Sequence, residues 1–135
     1  VERTVAYLEE LLIQYPNISI YLENMFEKRP ELLVRISEQL KKYQNYGVCF
    51  DYAHASISGT PISEWVEGLA PYVKHMHIND NNLQEDLHLA LGKGGIDWKQ
   101  FFEYVELYFS SCSILIETTL PENQKLSLEY IKDKR

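Results

Sequence analysis

The chain has 135 residues, 45% of them hydrophobic and 24% charged, which allows one modest core and is ordinary for a globular domain. Its formal net charge of −7, with no basic cluster, offers no electrostatic match for nucleic acid. No apolar run approaches the roughly 20 residues that cross a bilayer, none resembles a signal peptide, and two cysteines make no disulfide framework, so a cytoplasmic protein without membrane contact is expected.

In chain order, Val5, Leu8, Leu11, Leu12 and Tyr15 recur at helical spacing until Pro16-Asn17 stops them. The chain begins at Val1 and runs straight into this helix, so residues 1–135 are expected to be one partial domain of something longer. ISIYLE (18–23) alternates and is β-branched, so it reads as a strand. Pro30 suits a first helical turn, and Leu32, Leu33, Ile36, Leu40 and Tyr43 continue that helix. Gly47 introduces a second strand, VCFD, ending at Asp51. Thr60-Pro61 is expected to cap a helix carrying Ile62, Trp65 and Leu69. VKHMHI (73–78) is a third strand, followed by a long loop to Ile96. Asp97 and Gln100 form a capping-box pattern before Phe101, Phe102, Val105 and Tyr108. SILIE (113–117) is a fourth strand, and a last helix runs from Pro121 to the basic end KDKR.

Strands alternating with helices imply a parallel sheet. Along each strand, side chains alternate between faces. One face, with Ile18, Ile20, Leu22, Val48, Phe50, Met76, Ile78, Ile114 and Ile116, is wholly apolar and belongs under the helices. The other carries Tyr21, Cys49, Val73, His75 and Leu115, and its last members are Glu23, Asp51, His77 and Glu117. A mixed inner face with helices outside is the pattern of a β/α barrel, whose site lies at the carboxyl ends of the strands. An open doubly wound sheet would need two apolar faces.

In a parallel sheet those four ends lie side by side. Three carboxylates buried together are costly unless a cation neutralises them. Two Glu, one Asp and one His suit a divalent metal: Mn²⁺, Mg²⁺, Co²⁺ or Zn²⁺. His75 points the same way one layer deeper and is expected to be a barrel-interior histidine. Cys49 is expected to be an interior filler, Tyr21 and Trp98 core residues, and Asn79 and Asp80 either ligand-supporting or turn residues.

YLENMFE (21–27), CFDYAH (49–54), MHIND (76–80), DLHLALGKGGIDW (86–98) and ILIETT (114–119) together resemble the xylose isomerase-like TIM-barrel superfamily. That group holds sugar-phosphate isomerases and epimerases and the endonuclease IV type of AP endonuclease. The resemblance covers the carboxy-terminal half of the family's barrel, strands five to eight, so the fold implied is α/β with parallel (β/α) units. It implies that Glu23, Asp51, His77 and Glu117 hold the shared metal. It also implies that Glu23 and Glu117 act as an acid/base pair, and that His54 contacts substrate or a further metal. Asp86 and His88 match a pair that joins a nuclease metal cluster.

Three functions follow as expectations. The favoured one is a metal-dependent sugar or sugar-phosphate isomerase or epimerase working through an enediolate. The short loop between His77 and Asp86 and the GGIDW run support it. The alternatives are a zinc-dependent AP endonuclease acting on DNA, and an inactive barrel fragment that at most binds metal. Acidic charge and a loop whose sole cation is Lys93 weigh against the nuclease. Half a barrel would expose two strand edges, so a missing amino-terminal half or a second copy is expected to cover them.

Overall fold

The computed structural model describes residues 1–134. These residues form a four-stranded parallel sheet in sequential order β1-β2-β3-β4, with β1 at Ile20–Glu23, β2 at Tyr46–Asp51, β3 at Val73–Ile78 and β4 at Ser113–Ile116. Helices fall between them: α1 (Glu2–Gln14), α2 (Glu31–Leu40), α3 (Tyr52–Ser56), α4 (Ile62–Leu69), α5 (Trp98–Tyr108) and α6 (Pro121–Lys134). This is the α/β arrangement expected of half a TIM barrel. Arg135, the end of the basic run, lies outside the described residues, while Lys132 and Lys134 occupy the last turn of α6. Among the described residues no helix is long and apolar enough to cross a membrane.

Local chemistry sets the boundaries. α1 stops at Gln14 because Tyr15 precedes proline, which disfavours helical backbone there. Ile18 and Ser19 stay out of β1: Asn45 Nδ2 donates to the carbonyls of Leu12, Tyr15 and Ile18, and holds that stretch as a turn. Thr60 does not cap α4. Its hydroxyl donates instead to the Lys28 carbonyl at 2.7 Å, and Pro61 takes the cap position. Asp97 caps α5 by accepting from Gln100 N.

The core lies between the sheet and the helices. Trp65, Tyr52, Phe50, Phe101, Met76 and Ile78 are all fully buried there. A smaller cluster of Val5, Leu8, Leu12, Ile36, Leu40 and Tyr46 joins α1 and α2 to β2. Ile18 (56% exposed) and Ile114 (40%) leave the expected apolar face open. Both belong to the flanks of the sheet, Ile18 just before one edge strand and Ile114 in the other.

Val73 departs from the expected inner face and packs in the main core. The reason is a register slip: Val48 pairs with Val73 but Cys49 pairs with His75, so one residue of β3 is extra and the period of two breaks there. From His75 onward the alternation resumes, and Asp51 pairs with His77.

Candidate metal centre

Parallel pairing carries the strand ends to one edge. Glu23 ends β1, Asp51 ends β2, His77 is the penultimate residue of β3, and Glu117 follows β4 with its N–H donating to the Ile78 carbonyl. One ligand-capable atom from each of Glu23, Asp51, His77 and Glu117 lies within 4.8 Å of all the others. His77 Nδ1 stands 3.2 Å from Glu23 Oε1 and 3.4 Å from Glu117 Oε2. The two glutamates thus reach inward from opposite edges of the sheet to one imidazole.

Asp51 has two jobs. Oδ1 caps the short helix α3 by accepting from His54 N at 2.8 Å. Oδ2 is buried, makes no hydrogen bond among the described residues and stands 3.4 Å from His54 Nδ1. Burial pushes the carboxyl up to about 6, with Glu23 and Glu117 adding to the push and His54 opposing it. An orphaned carboxylate oxygen beside two more carboxylates and an imidazole fits a divalent cation. Cys49, one layer deeper, is pushed up to about 12 by burial and by the same three carboxylates.

A second group adjoins the first. His54, Asp86 and His88 also offer ligand atoms within 4.8 Å of one another. His54 Nδ1 meets the Asn24 carbonyl at 2.9 Å, and His88 Nδ1 meets the Glu117 carbonyl at 2.9 Å. A carbonyl only accepts, so each Nδ1 carries the proton and each Nε2 is left for Asp86, at 3.3 and 3.1 Å. Two imidazole lone pairs aimed at one carboxylate need a proton or a cation between them. Burial lowers both histidines, but Asp51, the Asn24 carbonyl and Asp86 raise His54 by more, and the Glu117 carbonyl and Asp86 raise His88. His88 holds a left-handed backbone, φ 50°, that a non-glycine residue adopts at a cost.

Some of the supporting residues carry no signal in the sequence pattern. Asn24 is buried and clamps the Asp51 peptide from both sides: Nδ2 donates to the Asp51 carbonyl at 2.9 Å and Oδ1 accepts from Asp51 N at 2.8 Å. An asparagine just after a strand reads as a turn former. Asn81 Nδ2 donates to the Ala53 carbonyl, tying the long loop to α3. Asp80 turns out to organise the loop. Buried completely, it accepts from Asn81 N, Gly92 N, Ile96 N and Trp98 Nε1. Asn79 is fully buried and neither of its amide atoms has a protein partner. Gly94 lies so close that a Cβ would collide with the Asn81 carbonyl oxygen and Asp80 Oδ1. Trp98 is core, as expected, but Tyr21 is 38% exposed on the inner face, where it stacks on His75. Among the described residues no further strand covers that edge.

Asp80→Ala strips an acceptor from three buried donors at once. A loss on the order of 3 kcal/mol is expected, read from urea unfolding midpoints at unchanged slope.

A family model described as the xylose isomerase-like TIM barrel matches residues 1–134. The chain belongs to this family. It is 32% identical to MJ1311, an uncharacterized protein of Methanocaldococcus jannaschii, over 96% of this chain and 46% of that one. Among solved structures it resembles a D-tagatose 3-epimerase-like protein, with TM-score 0.83, 29% identity and coverage of 98% of this chain and 53% of the other. It also resembles a Thermus thermophilus protein, TTHB071, soaked with ZnCl₂, with TM-score 0.75, 26% identity and coverage of 96% and 50%. The chain spans about half the length of these relatives.

Proposed function

We propose that this xylose isomerase-like chain supplies the carboxy-terminal half-barrel of a divalent-metal-dependent sugar or sugar-phosphate isomerase or epimerase, working in the cytoplasm. The observation that carries this reading is the convergence of Glu23 and Glu117 on His77 Nδ1 from opposite edges of the sheet. Two carboxylates so placed flank a substrate lying across the strand ends. Glu23, Asp51, His77 and Glu117 would hold Mn²⁺, Mg²⁺, Co²⁺ or Zn²⁺, which supplies positive charge for a substrate oxygen that becomes negative.

This chain's own residues then move the proton. One glutamate takes a proton from the carbon beside the substrate carbonyl, and the released electron pair passes toward the carbonyl oxygen, giving an enediolate. The other glutamate, protonated, returns a proton on the adjacent carbon for isomerisation, the hydroxyl proton passing from one of the two neighbouring oxygens to the other, or on the opposite face of the same carbon for epimerisation. His54, held by Asn24 and Asp51, orients a hydroxyl or carbonyl at the mouth.

A second reading, an AP endonuclease of the endonuclease IV type, draws support from the His54–Asp86–His88 group and the strained backbone of His88. One experiment separates the two. Full-length protein is incubated in D₂O with Mn²⁺ and a panel of ketoses and ketose phosphates, and in parallel with Zn²⁺ and an abasic-site duplex. Deuterium entering one carbon of a converted sugar supports the isomerase; strand cleavage with no sugar conversion overturns it.

The flanks of the sheet call for a cover. β1 and β4 each have one unpaired edge, and Leu115 on the inner face is 46% exposed. We propose that an amino-terminal half-barrel, or a second copy of this one, covers them. Residues 1–135 expressed alone are expected to self-associate in size-exclusion chromatography with light scattering; a monodisperse monomer would contradict this.

A further inference from the structure

Beneath the strand-end carboxylates lies another set of donors. Cys49, His75 and His77 each offer a ligand atom within 4.8 Å of the other two. The sheet register makes this arrangement: Cys49 pairs directly with His75, and His77 follows two residues on, on the same inner face. The two imidazoles meet edge to face, 5.1 Å between ring centres. Tyr21 stacks over His75 from β1, 6.4 Å away.

We propose that Cys49, His75 and His77 form a second, overlapping site for a thiophilic cation, Zn²⁺, one layer below the carboxylate-rich site and sharing His77 with it. The donor chemistry distinguishes the two layers. One sulfur with two imidazole nitrogens suits zinc, whereas the strand ends are dominated by carboxylate oxygen and suit harder ions. The support around His75 is that of a metal-ligating histidine. Its Nδ1 lies 2.6 Å from Ser113 Oγ, which fixes the ring; with Nδ1–H donating to that hydroxyl, Nε2 is the nitrogen that binds the ion. Tetrahedral ligands at about 2.0–2.3 Å from zinc stand roughly 3.5 Å apart, so small side-chain rotations close this trio on an ion. Water or a group from the covering half supplies the fourth position. His77 belongs to both layers, so filling the deeper site draws on a ligand of the outer one. Neither the sugar reading nor the nuclease reading is needed for this site.

Cadmium is the probe, because a cadmium–thiolate bond gives a charge-transfer band in the ultraviolet. Full-length protein, reduced and stripped of metal, is titrated with Cd²⁺ alone. Cys112, the other free thiol, packs against the main core with Sγ donating to the Val73 carbonyl. A band saturating at one equivalent is expected in wild type and in C112S. It should vanish in C49S, and in H75N the titration should need at least tenfold more Cd²⁺. H75N, at a partly exposed position, keeps the test valid should C49S fail to fold. No band in wild type, a band that survives in C49S, or unchanged Cd²⁺ affinity in H75N would each overturn the site.

Discussion

Glu117→Gln in the full-length protein, assayed at saturating Mn²⁺ on its best sugar substrate, is expected to lower kcat about 10²–10⁴-fold. The substitution keeps the shape of the side chain and removes its ability to accept a proton. Glu117 is partly exposed and outside the core, so the fold should survive. Glu23→Gln should cost a similar factor, because Glu23 faces the same imidazole nitrogen from the other edge. The double variant should fall little below the worse single one, since the pair acts as a unit. KM should change less than kcat in each. Two variants that keep turnover within a few-fold of wild type would remove both glutamates from the acid/base roles.

Asp51→Asn is expected to have opposite effects with and without metal. In the metal-free protein Asp51 Oδ2 is buried and makes no hydrogen bond, and burial raises the carboxyl to about 6. A folded-state value above the unfolded one means that the folded protein binds the extra proton. The resulting stability is fully present below about pH 4 and is lost as pH rises through about 6. That change amounts to on the order of 3 kcal/mol for this group. The amide that replaces the carboxylate would retain an oxygen for the His54 N–H cap and would carry no charge. Metal-free D51N should therefore match wild type near pH 4 and exceed it at pH 7, read by urea unfolding in a chelator. Adding Mn²⁺ at pH 7 should reverse the order, because only wild type gains binding energy. Metal affinity in wild type should itself climb with pH through about 6, as Asp51 ionises.

How much of the fold is legible in the sequence follows from where local rules hold. The four strand ends can be read because alternation has a fixed period and a parallel sheet aligns its carboxyl ends. Glu23, Asp51, His77 and Glu117 do converge. Val73 falls on the wrong face by alternation because nothing in VKHMHI announces the extra residue opposite Val48. α3 escapes because five residues show no period; its cap is Asp51, whose place at a strand end speaks only of a ligand. Asn24 escapes, and Asp80 is read only as a turn or ligand-supporting residue, for a related reason. Their value lies in hydrogen bonds to backbone 12 to 27 residues away, which no local pattern reports. Alternation alone puts Ile18 and Ile114 in the core; what they lack is a neighbouring strand or helix.

In the proposed site Glu23, Asp51, His77 and Glu117 share one cation. Mn²⁺ binding to the full-length protein, followed by electron paramagnetic resonance of the free ion, tests it most directly. One tight Mn²⁺ per chain is expected in wild type, with a loss of affinity of more than about 100-fold in D51N, beyond what removing a mere supporting residue costs. Binding in D51N at wild-type strength would contradict it.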